Sequence, residues 1–568
     1  MNSQQSAALS RGMASPRGVS RLNAENSFTQ RYDSLLDMFE TSVARYPDNV
    51  AFSNLGASLS YRELDKRSRA LAAYFQHELG ITNGQRIGLM LPNCLQYPVA
   101  LFAIIRCGAI VVNINPLYTA RELRHQLKDS GIDTLIILSN FAHTVQRVIT
   151  DIPVNHLIVS ELGDEHPPLR RKVIHFTLHY IKKKVPKWQI THQPYRDCMK
   201  KGQDLPYRRP ELRPDDVALL QYTGGTTGVA KGAMLTHANL LANIEQIKAV
   251  YGDLLVPGQE KIVSALPLYH IFALMINCLL FVEQGASNLL ITNPLDMDSW
   301  VASLKKVNFS VISGVNTLYA RLVNHPGFRQ LDFSALKISV AGGMPIQRQV
   351  ATEWEDLTGT PIIEGYGLTE CSPLVAVNPL TIRQHTGTIG LPIASTEIVL
   401  LDEKLSPVPV GQPGELCVKG PQVMKGYWQH SEETSLVFDT EGWFHTGDIA
   451  MITEQGLLKL VDRKKDIIIV SGFNVYPSEI ETVLNEHPHI SEAVAVGLAS
   501  DTSGEAVKVF VVRKEPSLTE TQIIVYCREQ LTGYKVPKII EFRDALPKNP
   551  LGKVLRHALT TVTQPEQS

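Results

Sequence analysis

Residues 222–232 read YTGGTTGVAKG and directly follow the apolar run 217–220. A strand that leads into a flexible, hydroxyl-rich loop is typical of a site for polyphosphate oxygens, because glycines let backbone N–H groups approach an anion and threonine hydroxyls add donors. The spacing of Lys231 does not match GxxxxGK[ST], so a Walker-type fold is not implied. A solvent loop that happens to be rich in Gly and Thr is the alternative. The candidate phosphate-binding residues are Thr223, Gly224, Gly225, Thr226, Thr227, Gly228 and Lys231.

A second segment, EGYGLTE at residues 364–370, follows the strand-like run 361–363. Tyr366 offers an aromatic face, Thr369 a hydroxyl and Glu370 a carboxylate. A nucleoside phosphate would use them to stack its base, to bind phosphate and to hold Mg²⁺, which prefers one or two carboxylates plus phosphate oxygens. A simple strand-to-turn transition explains the segment equally well.

Three further segments each offer one candidate side chain. GWFHTGD at 442–448 ends in Asp448, which suits vicinal ribose hydroxyls, although a hairpin turn would also explain it. PLYH at 267–270 ends in His270, which is alternatively a core histidine with its hydrogen bonds satisfied. LPKNPLGK at 546–553 presents Lys553 from a Pro/Gly loop, where a lysine is normally only exposed.

Short apolar runs alternate with helical patterns through the first two thirds of the chain. This alternation predicts an α/β fold with mostly parallel or mixed, covered sheets in a large N-terminal domain. From about residue 396, closely spaced strands and turns indicate a β-rich subdomain, and a small α+β domain follows. The runs that predict strands are 86–91, 109–114, 134–138, 156–159, 262–266, 288–292, 309–313 and 336–340.

The charge run DRKKD at 462–466 lies between two apolar strands and predicts a domain boundary. Beyond it, Pro477 is placed to start a helix, and Thr519 with Gln522 forms a capping box for another. Residues 1–27, rich in Ser and Arg, predict a disordered tail. The predicted units are 1–27 (tail), 28–462 (N-terminal domain, β-rich from about 390), 463–466 (connection), 467–562 (C-terminal domain) and 563–568 (tail).

Composition excludes several classes of protein. Hydrophobic residues make up 44% and charged residues 20%, which is globular, and 55 Lys and Arg against 56 Asp and Glu give a net charge of −1, so no overall field draws nucleic acid. Seven scattered cysteines without a CxxC pair suggest neither disulfides nor zinc and fit a reducing cytoplasm. Arg106 interrupts the apolar run 99–112, so no membrane span is predicted.

In order and spacing, these segments resemble the adenylate-forming superfamily over roughly residues 30–560, and most closely its bacterial long-chain fatty acid:CoA ligases. The resemblance implies an enzyme that uses ATP and Mg²⁺ to convert a long-chain fatty acid to acyl-AMP and then transfers the acyl group to CoA. It also implies a mobile C-terminal lid. The similar segments are 221–237, 265–273, 314–318, 364–369, 461–477 and 531–538.

The resemblance assigns roles residue by residue. The Gly/Thr loop would hold the ATP phosphates, and Thr226 and Glu370 would hold Mg²⁺. The expected catalytic residues are Lys553, Thr369, Glu370 and His270. The expected nucleotide-binding residues beyond the loop are Gly342, Gly343, Glu364, Gly365, Tyr366, Gly367, Asp448 and Arg463. The expected acyl pocket contains Gly314, Val315, Asn316 and Thr317, and Lys465 is the expected hinge.

Two departures from the family pattern limit these assignments. Some long-chain members carry a tryptophan gate after the histidine motif, where this chain has Phe272 and Leu274. Relatives often show paired arginines after the catalytic lysine, where this chain has Arg556 and His557. The alternatives are a medium-chain or aryl acid:CoA ligase, an enzyme that passes the acyl group to a carrier protein, and a catalytically silent lipid- or nucleotide-binding regulator.

A final segment, 170–188, has seven cations and no acid, with apolar residues at helical spacing. This pattern is typical of a helix that lies on an anionic membrane, but also of an ordinary amphipathic helix packed on a core. The sequence therefore indicates a cytoplasmic protein, leaves contact with the inner face of a membrane as one of two interpretations, and permits a homodimer. The apolar positions are Ile174, Leu178, Ile181, Val185 and Trp188.

Overall fold

The computed structural model describes residues 20–23, 30–152, 154–223, 230–470, 473–500, 504–549 and 552–560. Five predicted loop residues lie outside these ranges: Gly224, Gly225, Thr226, Thr227 and Gly228. The predicted tail 563–568 and most of residues 1–27 also lie outside them.

The first sheet is a mostly parallel layer whose described strands coincide closely with the apolar runs of the sequence. Thr134–Leu138 is a strand with the predicted bounds, and it is fully buried and paired on both sides, with Arg86–Met90 and His156–Ser160. The hairpin Val217–Thr223 and Lys231–Thr236 closes one edge, with Thr223 opposite Lys231. The strand order is Lys231–Thr236, Val217–Thr223, Ile110–Asn113, Arg86–Met90, Thr134–Leu138, His156–Ser160, Gln193–Pro194.

The second sheet carries parallel strands at its centre and antiparallel strands at both ends. Parallel strands bring their carboxyl ends to one edge, where ligands of open α/β sheets bind. The strand order is Leu391–Pro392, Leu374–Val377, Ile362–Gly367, Ile338–Ala341, Val311–Gly314, Lys261–Ser264, Ser287–Leu290, Val50–Asn54, Ala57–Ser60.

The third sheet is antiparallel and forms the predicted β-rich part. The sequence predicts a disordered tail through residue 27, but Arg21–Asn23 instead pairs with Glu397–Leu401. Leu22 is buried there, and Arg21 forms a 2.9 Å ion pair with Glu397. These partners are distant in sequence, so local composition does not reveal them. The strand order is Arg21–Asn23, Glu397–Leu401, Gly414–Lys419, Phe444–Ile452, Leu458–Arg463.

The C-terminal sheet and its helices have their own apolar core. Among the described residues, the main core ends at Leu458 and this second core begins at Ile468, so the charge run lies between them. The predicted capping box of Thr519 with Gln522 is present at the helix Glu520–Gln530. The strand order is Phe473–Val475, Ile468–Val470, Gly504–Arg513, Ile490–Ser500, and Ile539–Phe542 pairs with Gly504–Arg513.

Helices cover the sheets, and two of them contain π-helical stretches. The α-helices are Leu35–Arg45, Tyr61–Glu78, Gln96–Arg106, Ala120–Ser130, Ala142–Gln146, Pro168–Phe176, Tyr195–Gln203, His237–Tyr251, Ile271–Ala273, Leu280–Glu283, Met297–Leu304, Asn316–Val323, Arg348–Thr358, Ser431–Val437, Pro477–Asn485, Glu520–Gln530 and Arg556–Thr560. The π-helical stretches are Thr177–Ile181 and Leu274–Leu279. Within the described ranges, none of the helices combines the length and the apolarity that crossing a bilayer requires. All seven cysteines are buried.

The helix that begins at Pro168 differs from the interpretation of residues 170–188. It ends at Ile181, so Val185 and Trp188 do not continue its apolar face. Ile174 and Leu178 pack against the core, whereas Ile181 is exposed. A different set of apolar side chains faces solvent: Leu169, Val173, Phe176 and Tyr180. Their spacing of four, three and four residues places them on one helical face.

Candidate active site

Three neighbouring strand ends of the second sheet form the floor of the candidate site. Gly314 lies beside Ala341, and Ala341 lies beside Glu364. Glu364 is fixed from two sides, because Oε2 accepts the Ile346 N–H at 3.0 Å and Oε1 lies 3.0 Å from Nδ1 of His385. The predicted acyl and nucleotide residues therefore meet at one edge of the sheet. A sequence reading did not single out His385.

The predicted adenine-side tyrosine is held by the predicted ribose carboxylate. Tyr366 is buried, and its hydroxyl donates to Asp448 Oδ2 at 2.7 Å. Asp448 Oδ1 lies 3.1 Å from Nε of Arg463, its register partner on the next strand. Burial, with the Asp448 charge, holds the pKa of Tyr366 well above its usual value, so the phenol stays protonated. This chain of contacts fixes all three side chains before any ligand arrives.

Glu370 and Lys231 meet through a residue that sequence reasoning missed. The hydroxyl of Tyr427 donates to Glu370 Oε1 at 2.8 Å, and the Lys231 ammonium lies 5.3 Å from the centre of the Tyr427 ring. Burial raises the pKa of Glu370, and the Tyr427 hydrogen bond opposes that rise. Glu370 is a desolvated carboxylate near Lys231, the first residue of the hairpin strand Lys231–Thr236. Mg²⁺ prefers carboxylate oxygen as a ligand, so the residues present fit this ion.

His270 lies at the start of the helix that follows the strand Lys261–Ser264. Burial lowers its pKa to about 4, so the imidazole is neutral at pH 7. Its Nδ1 accepts the backbone N–H of Phe272 at 3.3 Å, which leaves the proton on Nε2. Next to it, the side-chain amide of Gln221 donates to the Tyr269 carbonyl at 2.8 Å and so ties this segment to the hairpin strand. His270 thus offers a donor suited to a carboxylate.

The predicted acyl segment follows the strand Val311–Gly314. A side chain at Gly314 would collide with the Tyr319 ring, since a Cβ there would lie 2.8 Å from it. Asn316 Oδ1 accepts the N–H of Gln347 at 2.9 Å, and Val315 is buried. Phe272, one of the two residues where the chain lacks the family's tryptophan, lies against Gly342: a Cβ on Gly342 would be 3.4 Å from the Phe272 ring.

The C-terminal domain inserts a loop into this site. A Cβ on Gly552 would lie 2.8 Å from the Thr317 hydroxyl, so the loop touches the acyl segment. The Lys553 N–H donates to Asn549 Oδ1 at 2.9 Å, which fixes the turn. Lys553 as a whole residue is exposed, but the protein around its ammonium desolvates that group. This desolvation lowers the pKa of Lys553 to about 8; the Arg463 charge lowers it further, and Asp448 opposes both.

The hinge candidate Lys465 and Arg556, where this chain departs from the family pattern, lie close to one another. Lys465 is in the short turn Lys464–Asp466, between the two cores. Arg556 donates to the Ala495 carbonyl at 3.0 Å and to Glu481 at 2.9 Å, and its Nε lies 3.7 Å from Asp466 Oδ2 in that turn. The single arginine at this position therefore joins the C-terminal domain to the turn before it.

Comparison with known proteins shows the family of this chain. Residues 39–428 match the AMP-binding enzyme family, and residues 479–553 match the AMP-binding enzyme C-terminal domain. A long-chain-fatty-acid–CoA ligase of Escherichia coli O6:H1 is 58% identical over 530 residues, which cover 93% of this chain and 94% of that protein. A feruloyl-CoA synthase of an Amycolatopsis species is 33% identical, over 90% of this chain and 95% of that protein.

A solved structure extends the agreement to the whole fold. ATP-bound MatB from Rhodopseudomonas palustris superposes with a TM-score of 0.79 at 26% identity, over 93% of this chain and 98% of that one. The predicted α/β class with a small C-terminal domain is thereby confirmed. The chain belongs to the AMP-binding enzyme family, alongside its long-chain-fatty-acid–CoA ligases.

Proposed function

We propose that this chain joins long-chain fatty acids to CoA, forming acyl-AMP and pyrophosphate from ATP and then acyl-CoA and AMP. The observation that carries the proposal is the 58% identity to a long-chain-fatty-acid–CoA ligase along almost the whole chain. An acid panel with ATP, Mg²⁺ and CoA tests it by direct detection of acyl-CoA. Formation of ADP and acyl phosphate would overturn the AMP-forming assignment.

The first half-reaction needs charge stabilisation more than proton transfer. A fatty carboxylate has a pKa near ~4 to 5 and is already ionised at pH 7, so it attacks the α-phosphate without a general base. In this proposal His270 Nε2–H orients that carboxylate, and Lys553 offsets charge that develops at the α-phosphate. Glu370 and Thr226 would hold Mg²⁺, which supplies further neutralisation of the phosphates.

The second half-reaction needs a different placement of the lid. CoA thiol has a pKa of about 8.5, so only a few per cent is thiolate at pH 7, but thiols are strong nucleophiles and AMP leaves readily. The lid loop touches Thr317, and the C-terminal domain that carries the loop has its own core, separate from the main core. This separate core supports rotation of the whole C-terminal domain about residues 463–466 after acyl-AMP has formed, with Lys465 as the hinge residue.

The aryl and medium-chain alternatives differ from the proposed function only in which acid is joined to CoA. The feruloyl-CoA synthase relative keeps the aryl alternative testable, although its identity is 33% against 58% for the long-chain relative. Comparison of kcat/KM across chain lengths and aromatic acids separates them. A silent regulator would form no AMP, and transfer to a carrier protein would be favoured if CoA failed as acceptor.

We also propose that the helix Pro168–Phe176 and its π-helical continuation contact the inner face of a membrane. Four apolar side chains face solvent there: Leu169, Val173, Phe176 and Tyr180. Nearby cations would attract anionic lipid headgroups. Contact with a membrane would also bring the enzyme close to a fatty acid that is dissolved in the bilayer. Contact with the inner face of a membrane would place the protein in the cytoplasm. A homodimer stays a prediction that light scattering of the full chain tests.

The membrane proposal predicts weaker lipid binding by a variant with both Phe176→Ser and Tyr180→Ser. Sedimentation with vesicles of phosphatidylglycerol and phosphatidylcholine should fall, because the contact loses two exposed aromatic groups that the bilayer would bury. Leu436→Ser is the matched control, since Leu436 is 80% exposed on the distant helix Ser431–Val437. Equal sedimentation of both variants and the wild type would exclude this surface.

A further inference from the structure

Three side chains outside the active site converge where the exposed helix meets the first sheet. Glu161 directly follows the strand His156–Ser160, and His175 and His179 lie one turn apart on the helix above it. One ligand atom from each of the three lies within 4.8 Å of the others. We call Glu161, His175 and His179 the His/Glu cluster.

The separations within the His/Glu cluster are close to those of ligands around one ion. Glu161 Oε2 lies 3.2 Å from Nε2 of His179 and 3.9 Å from Nδ1 of His175. Zinc bonds of about 2.0 to 2.2 Å in tetrahedral geometry place two ligand atoms about 3.3 to 3.6 Å apart, so the two measured separations fall on either side of this range. The two imidazole rings stack with centroids 4.0 Å apart. Without an ion, the 3.2 Å contact between His179 Nε2 and Glu161 Oε2 is a hydrogen bond, which a bound ion would replace.

The residues around the His/Glu cluster indicate which class of metal ion it would bind. All three residues retain solvent access, so water can complete the coordination. Arg170, Arg171 and Lys172 stand on the same helix, and their positive field opposes a hard cation held by charge alone. Two imidazoles and one carboxylate instead suit borderline first-row ions such as Zn²⁺, for which imidazole is a preferred ligand.

We infer that the His/Glu cluster is a binding site for a first-row transition-metal ion, with Zn²⁺ the favoured occupant. A bound ion would cross-link the helix to the strand His156–Ser160. It would thereby fix the helix that carries Leu169, Val173, Phe176 and Tyr180. The His/Glu cluster lies on different elements from Glu370 and from the hairpin strands Val217–Thr223 and Lys231–Thr236.

Isothermal titration of the full chain with Zn²⁺, after treatment with a chelator, tests this inference. The wild type should show a site that a variant with His175→Asn and His179→Gln lacks. We expect the affinity of that site to fall more than ~10-fold, since changes in outer-shell groups alone cost about 10- to 100-fold. Glu161→Gln is the second variant and should weaken the same site while leaving both imidazoles in place.

The matched control replaces a second exposed histidine pair. His487 and His489 have ring centroids 5.6 Å apart, and His489 lies 3.2 Å from Glu515. A variant with His487→Asn and His489→Gln should keep the wild-type isotherm. Equal Zn²⁺ binding by the wild type and the His175/His179 variant, with matching thermal melts, would overturn the inference. Loss of the site in the control alone would also overturn it.

Discussion

The two sides of the active site differ in how firmly their charged groups are held. On the N-terminal side, Asp448 is buried, contacts Tyr366 at 2.7 Å and contacts Arg463 at 3.1 Å. On the C-terminal side, Lys553 is carried by a Pro/Gly loop whose turn is closed by Asn549. One side is preorganised by its own hydrogen bonds, and the other is brought in by a domain with a separate core.

This difference indicates a division of labour. Groups that bind the nucleotide must keep one geometry through both half-reactions, so a rigid, mutually bonded set suits them. A cation needed only while pyrophosphate leaves is better placed on an element that can withdraw. The predictions below test this division, beginning with the group whose removal should cost most.

Replacement of Lys553 by alanine should slow adenylation by about 10² to 10³ fold, as for loss of a preorganised charge-stabilising donor. Thioester formation from supplied acyl-AMP should be nearly unchanged. Pyrophosphate release and acyl-CoA formation measure the two steps. Lys548→Ala is the control from the same loop, because Lys548 pairs with Glu492 at 2.8 Å and should matter little. A comparable defect in both half-reactions would contradict the division.

Replacement of Lys465 by proline should have the opposite pattern. A fixed φ restricts the turn, so thioester formation should fall by about 10²-fold, the cost of misplacing reacting groups, while adenylation is spared. Lys465→Ala removes the side chain but keeps backbone freedom and should be milder. If alanine and proline behaved alike in the same two assays, the backbone would not act as the hinge.

The pH dependence of adenylation should report Lys553. Its pKa is lowered to about 8, so the ammonium is charged below that pH and loses its proton above it. The kcat/KM for ATP in the first half-reaction should therefore decline as pH rises through about 8, by roughly tenfold at one unit above the pKa. Arginine stays charged throughout, so Lys553→Arg should abolish the decline. A decline that persists in this variant would assign it to another group.

The smallest expected effect on ATP use concerns the preorganised N-terminal side of the site. Tyr427→Phe keeps the ring beside Lys231 but removes the hydroxyl that donates to Glu370. Loss of one hydrogen bond of about 1 kcal/mol should weaken Mg²⁺-dependent ATP use by roughly fivefold. Tyr207→Phe, which removes a hydroxyl bonded to the Arg106 carbonyl, is the control. Equal KM values for ATP in the two variants would show that Tyr427 does not position Glu370.

Much of the fold could be predicted because its signals are local. The run 134–138 is a strand with the predicted bounds, and the capping box at Thr519 is present. The strand Arg21–Asn23 was missed because its stability comes from Leu22 and Arg21 meeting residues near position 398. For the helix that begins at Pro168, the spacing of apolar residues correctly predicted that Ile174 and Leu178 lie on one face, which packs on the core. It did not predict that the helix ends at Ile181.

The candidate site divides in the same way. Motifs that resemble those of the adenylate-forming superfamily singled out Glu364, Tyr366 and Asp448; the structure places Glu364 and Tyr366 on one strand and joins Tyr366 to Asp448, and their roles stay predictions. Tyr427 and His385 could not be singled out, because they act through partners 57 and 21 residues away in sequence and carry no local pattern. Nor does sequence reveal that the lid loop touches Thr317, which depends on how two separately folded cores meet.

The burial of every cysteine makes the native chain a convenient background for fluorescent labelling. Burial raises the pKa of the Cys94 thiol to about 12 and that of the Cys527 thiol to about 11, so these thiols stay protonated and react slowly with maleimides. Cysteines introduced at the exposed positions Leu436 and Glu520 would accept a donor and an acceptor dye without removal of native thiols. Energy transfer between them would then follow the lid during single turnovers.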